Sequence, residues 1–200
     1  MALITASEAR GYLRGLTGTA EDATINTLIT RVDGLFASYC GYMAKDGTSG
    51  ATMEDVTYTE YLDGPTRSRE IRLSVYPVVS VTSIHDDADL GYNSDDLVAA
   101  SDYTLYGNEG LVILNENASH AWTKGRRNIK VVYVAGWATI PDALKHAACL
   151  QTAHLYQHRD TIGKTDLRVS TASATVSALS LLPEVRAALA PFRLTNHWVL

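Results

Sequence analysis

The stretch from Asn128 to Asp160, "NIKVVYVAGWATIPDALKHAACLQTAHLYQHRD", contains the two kinds of secondary structure that decide the fold. Its first part, up to Trp137, is rich in β-branched and aromatic residues, a composition that favours a strand. Pro141 suits the first turn of a helix, where its missing N–H costs nothing, and Asp142 complements the positive end of the helix dipole. The stretch therefore predicts a strand followed by a helix over residues 141–159.

Upstream of this stretch, between residues 56 and 136, apolar and polar residues alternate with the period of two that is typical of strands. "VTYTEYLDG" ends at a turn, "REIRLSVYP" is interrupted by Pro77, and "VVSVTSIH" resumes the alternation. "DYTLYGNEGLVIL" predicts a hairpin around residues 107–110. About six strands are expected in total, and their hairpin-length connections predict an antiparallel sheet.

Two helices are predicted before the strands. The first, over residues 5–16, begins with Thr5 and Glu8 at capping-box spacing. The second, over residues 19–41, begins at Thr19, a favourable N-cap, and ends at Gly41. Apolar residues recur along this second helix at three- and four-residue steps and define a face that must be buried: Ile25, Leu28, Ile29, Val32, Leu35, Phe36 and Tyr39.

The composition changes after residue 160. "TIGKTDLRVSTASATVSALS" is rich in Ser, Thr and Ala without a clear period, which is typical of a flexible arm or of one that a partner orders. "LPEVRAALAPF" predicts a short helix over residues 183–190. We therefore expect a core domain, residues 1–160, and an extended C-terminal arm, residues 161–200. The predicted fold class is α+β, with an N-terminal helix pair and a long C-terminal helix packed with an antiparallel sheet of about six strands.

Composition argues against several classes of function. The net charge of −5 is unfavourable for a dedicated nucleic-acid-binding protein, which needs clustered Lys and Arg. The 2 cysteines are too few and too far apart for a disulfide framework. The first residues lack the basic and apolar regions of a signal peptide, and no apolar run approaches a membrane span. A soluble protein made in a reducing cytoplasm is expected.

The histidines of the predicted long helix raise the possibility of a metal site. His154 and His158 are four residues apart, so both imidazoles point to the same side of a helix, as in some zinc sites. The zincin pattern also requires a Glu beside the first His, where this sequence has Leu155, and His146 is rotated away from the pair. We therefore expect the histidines to lie on the polar face of a packing helix and no metal to be bound.

Other candidate sites are incomplete. The five aspartates of "HDDADLGYNSDD" match only part of a calcium loop, so a solvated acidic loop over residues 86–96 is expected. No nucleophile motif and no phosphate-binding loop occurs, and Cys40 and Cys149 are expected to be buried hydrophobes. The strand tyrosines are explained by cross-strand packing. The sequence thus predicts no catalytic residue and no cofactor, which favours a structural or assembly role.

The order of these motifs resembles a known family. "MALITASEARGYLRGLTGTAEDATINTLITRVDGLFASYCG" is similar to the paired N-terminal helices, and "YLDGPTRSREIRLSVYPVVSVTSIHD" to the strand pair with its central "YPVVSV", of the head–tail connector (adaptor, or head-completion) proteins of long-tailed bacteriophages. The hairpin "SDYTLYGNEGLVIL", Trp122 and the opening stretch follow in that family's order, and "LPEVRAALAPFR" resembles its closing helix. The acidic loop, the Ser/Thr/Ala-rich stretch and the extra "LTNHWVL" depart from the pattern.

This resemblance implies a non-enzymatic virion protein. It would form a homo-oligomeric ring, a dodecamer, between the portal protein and the next tail or stopper protein. DNA would pass through the ring without sequence-specific binding, no membrane would be involved, and assembly would occur in the host bacterial cytoplasm. Because aromatic and Arg side chains dominate interfaces, the expected partner-binding residues are those at the end of the arm: Phe192, Arg193, Trp198, Val199 and Leu200. The alternative is that Phe192, Arg193 and Trp198 pack on their own domain.

Two alternatives remain open from the sequence alone. One is a metal-dependent enzyme that uses the His154–His158 pair, which bound zinc would reveal. The other is a carbohydrate- or host-binding β module, which glycan binding without affinity for a portal would reveal.

Overall fold

The computed structural model describes residues 2–16, 18–42, 52–159, 167–169, 172–174 and 181–194. These residues form two compact units. The helical unit holds the described residues of 2–40 and 140–193. The sheet unit holds the described residues of 41–139 together with Leu194. Both classes of secondary structure are present, so the predicted α+β class is confirmed.

Four α-helices lie in the described part of the helical unit: α1 Ala6–Arg10, α2 Asp22–Cys40, α3 Asp142–Gln157 and α4 Pro183–Leu189. The other three helices all contact α3. Ala147, Ala148 and Ala153 of α3 are buried, and such small residues allow helices to pack closely. Two short strands, β7 Leu167–Val169 and β8 Ala172–Ala174, pair with each other as well.

Helix α2 carries the main apolar face of this unit. Its residues Ile25, Ile29, Val32 and Phe36 are almost fully buried, as their spacing predicts. The predicted N-cap at Thr19 is wrong, because the carbonyl of Thr19 instead accepts a hydrogen bond from the N–H of Asp22 in a turn that precedes the helix. The predicted end is confirmed, since Gly41 has a φ of +89° that favours glycine.

Helix α1 is shorter than the predicted span 5–16. The capping box is confirmed: Thr5 accepts from the N–H of Glu8, and the Glu8 carboxylate accepts from the N–H of Thr5. The helix then ends at Arg10, where the N–H of Gly11 bonds to the Glu8 carbonyl in a tighter turn. Gly15 follows with a φ of +77°, a conformation that favours glycine.

Removal of this cap gives a testable effect on stability. We expect Thr5→Ala to lower the free energy of unfolding by about 1 kcal/mol, because two backbone N–H groups at the helix start lose their capping arrangement. Thr24→Ala, an exposed threonine within α2, is the matched control and should change stability by less than about 0.5 kcal/mol. Urea unfolding of both variants measures the difference, and equal stabilities would contradict the capping role.

The sheet unit contains two three-stranded antiparallel sheets. The first has the order β1 (Val56–Gly64), β6 (Gly125–Ala135), β3 (Val78–Asp86), and the second has the order β2 (Glu70–Arg72), β5 (Leu111–Leu114), β4 (Tyr103–Tyr106). The expectation of one sheet of six strands is therefore wrong. Both hydrogen-bonding edges of β6 are occupied by β1 and β3, so the remaining strands pair among themselves.

Several local expectations for this unit are confirmed. The hairpin β4–β5 turns through Gly107–Glu109, and Gly110 follows with a φ of +65°. Tyr58 of β1 and Tyr133 of β6 are direct cross-strand partners, and their buried rings stack with centroids 5.8 Å apart.

The segment "REIRLSVYP" is not a strand throughout. It leaves the second sheet after Arg72, and Pro77 then precedes β3 of the first sheet.

None of the helices in the described ranges combines the length and the apolar composition that crossing a membrane requires.

The predicted domain boundary at residue 160 stays a prediction, because residues 160–166 lie outside the described part of the chain.

Candidate assembly surfaces

The end of α4 carries the described part of the predicted partner-binding segment. The helix is seated on its own unit: Val185 and Leu189 are fully buried, and the N–H of Leu182 donates to the Gln151 side chain of α3 at 3.1 Å. The Cys40 thiol at the end of α2 lies 3.9 Å from the carbonyl oxygen of Leu189. These contacts fix the position at which the chain leaves the helical unit.

A short 3-10 turn, Ala190–Phe192, follows α4. Phe192 is its last residue, and Arg193 is its C-cap. Arg193 is exposed, and its guanidinium carbon lies 5.2 Å from the centroid of the Tyr39 ring. Such cation–π contact orients a guanidinium while its hydrogen-bond donors still face solvent. Phe192 is half-buried. The structure thus brings two of the five predicted residues together, and Trp198, Val199 and Leu200 lie outside the described residues.

The histidines of α3 and its C-cap, His158, make contacts within the helical unit. The ring of His146 is hydrogen-bonded to the Tyr12 hydroxyl at 2.8 Å. His158 donates from Nδ1 to the His154 carbonyl at 2.9 Å, and the two rings lie 4.4 Å apart. Within the described ranges, no group of three or more His, Cys, Asp or Glu side chains is arranged to hold a metal ion. In the part of the chain that the structure describes, the His154–His158 pair therefore lacks the further ligands that a zinc site requires.

Titration of His154 gives a pH-dependent prediction. Burial lowers the pKa of His154, and the neighbouring His158 lowers it further, whereas Glu184 acts in the opposite direction. Because the unfolded chain takes up the proton more readily, the stability contributed by neutral His154 is fully present above about pH 6.5 and is lost as the pH falls below it. Thermal melting between about pH 5 and 8 should show a smaller acid-side loss for His154→Gln, and an identical loss would contradict the prediction.

The expectation of a solvated acidic loop is wrong for its first two aspartates. The Asp86 side chain is fully buried and accepts three hydrogen bonds, from the Asn128 amide at 2.8 Å, the Thr123 N–H at 2.7 Å and His120 Nε2 at 3.0 Å. Asn128 also accepts from the N–H of Gly64. This network ties the ends of β1, β3 and β6 to the turn before β6. Asp86 is thus a structural acceptor within the sheet unit.

Asp87 holds the loop that follows. Its carboxylate accepts backbone N–H bonds from Asp89, Gly91 and Tyr92. These bonds, that of Tyr92 first and that of Asp89 next, keep the pKa of Asp87 below its ordinary value. Asp89 and Asp95 are exposed. The acidic sequence therefore contains two folding determinants in addition to surface charges.

Sequence reasoning also missed a third buried carboxylate, that of Glu60. Its oxygens accept from the Ser74 N–H and from the Tyr133 hydroxyl, both at 2.9 Å, and from the Ser74 hydroxyl. Burial raises the pKa of Tyr133, and the charge of Glu60 raises it further, so this hydroxyl stays a donor. The alternation of β1 does place Glu60 on the same face as Tyr58, and this is the signal that marks it.

The two cysteines are buried, as predicted. Burial raises the pKa of Cys40 to about 11 and also raises the pKa of Cys149. A thiol of high pKa is a poor nucleophile at neutral pH because little thiolate is present. For Cys40 the effect of burial on the pKa outweighs the charge of Arg193, which acts in the opposite direction.

Comparison with known proteins identifies the family of this chain. A family model described as head completion protein matches residues 2–194. The chain belongs to the head completion protein family. The resemblance drawn from motif order is thereby confirmed. The head completion family is structural rather than enzymatic, so the expectation that this chain is not an enzyme is confirmed as well.

Solved structures share the fold. A chain from the neck of an empty gene transfer agent (GTA) particle, computed with C6 symmetry, is 20% identical with a TM-score of 0.60 over 99% of this chain and 92% of that chain. A chain from the virion of a native GTA particle is 24% identical with a TM-score of 0.58, over 99% and 92%. A third, from a native GTA neck computed with C12 symmetry, is 20% identical with a TM-score of 0.53, over 98% and 90%. No curated protein matches this chain significantly.

Proposed function

We propose that this chain forms a ring between the portal and the tail of a phage-like particle, where it extends the DNA channel and joins head to tail. The observation that carries the proposal is the family match over residues 2–194. Alignment with neck chains over nearly the whole fold supports it, and the neck computed with C12 symmetry supports a ring of twelve copies. The chain would then be a virion component assembled in the host bacterial cytoplasm.

The charge of the chain suits a channel through which DNA passes. A protein that bound phosphate groups tightly would retain the DNA, because each neutralised phosphate releases counterions and adds to affinity. The net charge of −5 avoids such retention. DNA would therefore pass without sequence-specific binding, and the specific partners would be the portal protein, the next tail or stopper protein and further copies of this chain.

The C-terminal segment is the proposed portal contact. Helix α4 is fixed on α3, and the chain leaves it through Phe192 and Arg193 towards the apolar end Trp198–Leu200. An aromatic and an Arg at this point match the residue types that dominate protein interfaces.

Assembly with the portal tests the proposal. The purified chain is mixed with the portal protein of its own particle, the mass of the complex is measured by light scattering, and the complex is imaged by electron microscopy. We expect a ring of the chain on one face of the portal. A chain that stays monomeric and never binds the portal would contradict the proposal, and glycan binding without portal binding would favour the β-module alternative.

Arg193 gives the sharpest test of the proposed contact. We expect Arg193→Ala to weaken portal binding by about tenfold or more, because truncation of a central interface Arg typically costs more than ~1 kcal/mol. Arg186→Ala is the matched control, since Arg186 is an exposed arginine of α4. Titration of labelled portal with each variant measures the affinities. Equal binding by wild type and Arg193→Ala would remove Arg193 from the contact.

A further inference from the structure

The connection between α3 and α4 is much longer than the distance it spans. The two helices contact each other, and the N–H of Leu182, just before α4, donates to the Gln151 side chain within the last two turns of α3. The return from one helix to the other therefore covers roughly 10–15 Å. Connections of about 2–8 residues usually join such neighbours, whereas this chain uses residues 158–182. Most of this segment is not needed to join the helices and is available for another role.

The middle of this connection forms a hairpin of only two strands. β7 and β8 pair in antiparallel fashion, from Leu167 with Ala174 to Val169 with Ala172, and within the described residues each strand pairs with the other alone. An isolated two-stranded hairpin is at best marginally stable in water, and further strands or a packed face stabilise it. The N–H and C=O groups on the outer edges of this hairpin can therefore bond to another strand.

Strand β1 is an edge of the first sheet, and its register shows which backbone groups point outward. The N–H of Gly136, directly after β6, donates to the Pro77 carbonyl, and the Asn128 carbonyl accepts from the N–H of Asp87. Even-numbered positions along β6 thus direct their backbone groups towards β3, and odd-numbered positions direct theirs towards β1. The register matches the odd-numbered residues of β6 with the even-numbered residues of β1. The backbone groups on the outer edge of β1 are consequently those of the alternate residues Thr57, Thr59 and Tyr61.

This outer edge lacks the features that protect edge strands. β1 has nine residues without Pro or Lys, and its register is irregular only at its end, between Leu62 and Gly64. β3, the edge strand on the other side, has two register shifts, and Leu97 bridges to His85 along it. β2 and β4 have only three and four residues. Among the described strands, β1 therefore presents the longest regular edge.

We infer that the β7–β8 hairpin of one copy adds to the outer edge of β1 in the next copy of the ring. Strand addition of this kind derives its affinity from main-chain hydrogen bonds, so it suits a Ser/Thr/Ala-rich segment that has few large side chains to bury. The first sheet would grow from three strands to five, and the hairpin would gain the support that two strands alone lack. This inference rests on the proposed ring and names a contact that joins its neighbouring copies.

A second copy is the occupant that the structure favours. In the described part of a single chain, β1 pairs with β6, and the strands of the hairpin pair only with each other, so the added strand comes from outside the chain. Every copy carries one hairpin and one β1 edge. Contact between two different surfaces of identical chains is the type that closes into rings, and it leaves neither surface unmatched. A portal or tail protein would match only one of the two.

Disulfide cross-linking between copies tests the inference. Thr59→Cys places a thiol in the middle of β1, and Arg168→Cys or Ser173→Cys places one on β7 or β8, each in a separate protein. The Thr59→Cys protein is mixed with either hairpin variant, loaded on portal rings and oxidised. A disulfide needs Cα atoms within about 7 Å of each other, so at least one mixture should give cross-linked dimers. Because each chain carries one introduced thiol and both native cysteines are buried, such dimers report contact between copies.

Thr82→Cys is the matched control, because Thr82 is an exposed threonine of β3, at the opposite edge of the same sheet. Its mixtures with the hairpin variants, and each variant alone, should give no dimers. Loaded rings without dimers from either Thr59→Cys mixture, or equal yields with Thr82→Cys, would overturn the inference and leave the ring intact. An intrachain disulfide alone, in a protein with both Thr59→Cys and Ser173→Cys, would place the hairpin on its own β1 and also overturn it. Failure of wild type to load would overturn the proposed function and this contact with it.

Removal of the hairpin gives a second measurement. A variant in which a short Gly/Ser linker replaces residues 163–178 should need at least about tenfold more protein than wild type to complete portal rings, because each contact loses several main-chain hydrogen bonds. Circular dichroism melting checks that this variant folds. Complete rings at wild-type concentrations of the shortened protein would contradict the inference.

Discussion

Asp86→Ala is expected to lower the free energy of unfolding by about 3–5 kcal/mol, the usual cost of removing one partner from a buried charged network. The Asp86 side chain is fully buried and accepts from Asn128, Thr123 and His120. Alanine would leave the buried Asn128 amide and the Thr123 N–H short of an acceptor. It would also open a small cavity where β1, β3 and β6 are joined.

Asp95→Ala is the control for this change, since Asp95 lies exposed in the loop that follows Asp86. It should alter stability by no more than about 0.5 kcal/mol, as is usual for surface substitutions. Guanidinium chloride unfolding followed by circular dichroism measures both variants. A loss below about 1 kcal/mol for Asp86→Ala would show that the network is not a determinant of stability.

Gly136→Ala is expected to cost about 3 kcal/mol of stability, from two additive sources. Gly136 is buried directly after β6 and has a φ of +123°, a conformation that costs an L-residue about 1–3 kcal/mol. An added Cβ would also lie 2.1 Å from the carbonyl oxygen of Glu54, so the backbone around the Glu54–Trp137 bridge must shift.

Gly34→Ala provides a contrasting control in the same chain. Gly34 lies inside α2, and an added Cβ would meet no atom within 4 Å. Alanine has the higher helix propensity, so this variant should be more stable than wild type by up to about 1 kcal/mol. Thermal melting of the two variants in parallel tests the argument. Similar shifts in Tm for both glycines would contradict it.

The sequence predicts local structure well where one period dominates. The apolar face of α2 and the alternation of β1 lead directly to the observed elements, because each pattern reflects burial on one side. Alternation does not reveal which strands pair. β6 pairs with β1 and β3, so the six strands divide into two sheets. These pairings join residues that are far apart in the sequence, and a local pattern does not show them.

Polar residues were harder to interpret than apolar ones. Asp86 and Glu60 are buried because specific donors from distant positions surround them, and no local pattern shows those donors. Asp87 has a more local signal, since an aspartate that caps the backbone of the following residues is common in turns. Helix α1 ends early for a local reason too, at the glycines that follow Arg10.

The candidate partner surfaces were only partly predictable. Residue type alone led to Phe192 and Arg193, and the structure adds that Tyr39 orients the Arg193 guanidinium.

Electron cryo-microscopy of the assembled particle, with the neck reconstructed without imposed symmetry, tests the central claim most directly. The proposed function predicts a ring of this chain, of twelve copies, directly between portal and tail, with DNA or its channel on the ring axis and the C-terminal segment towards the portal. A particle in which the chain is absent from the head–tail junction, or joins it as a single copy beside the channel, would contradict the account.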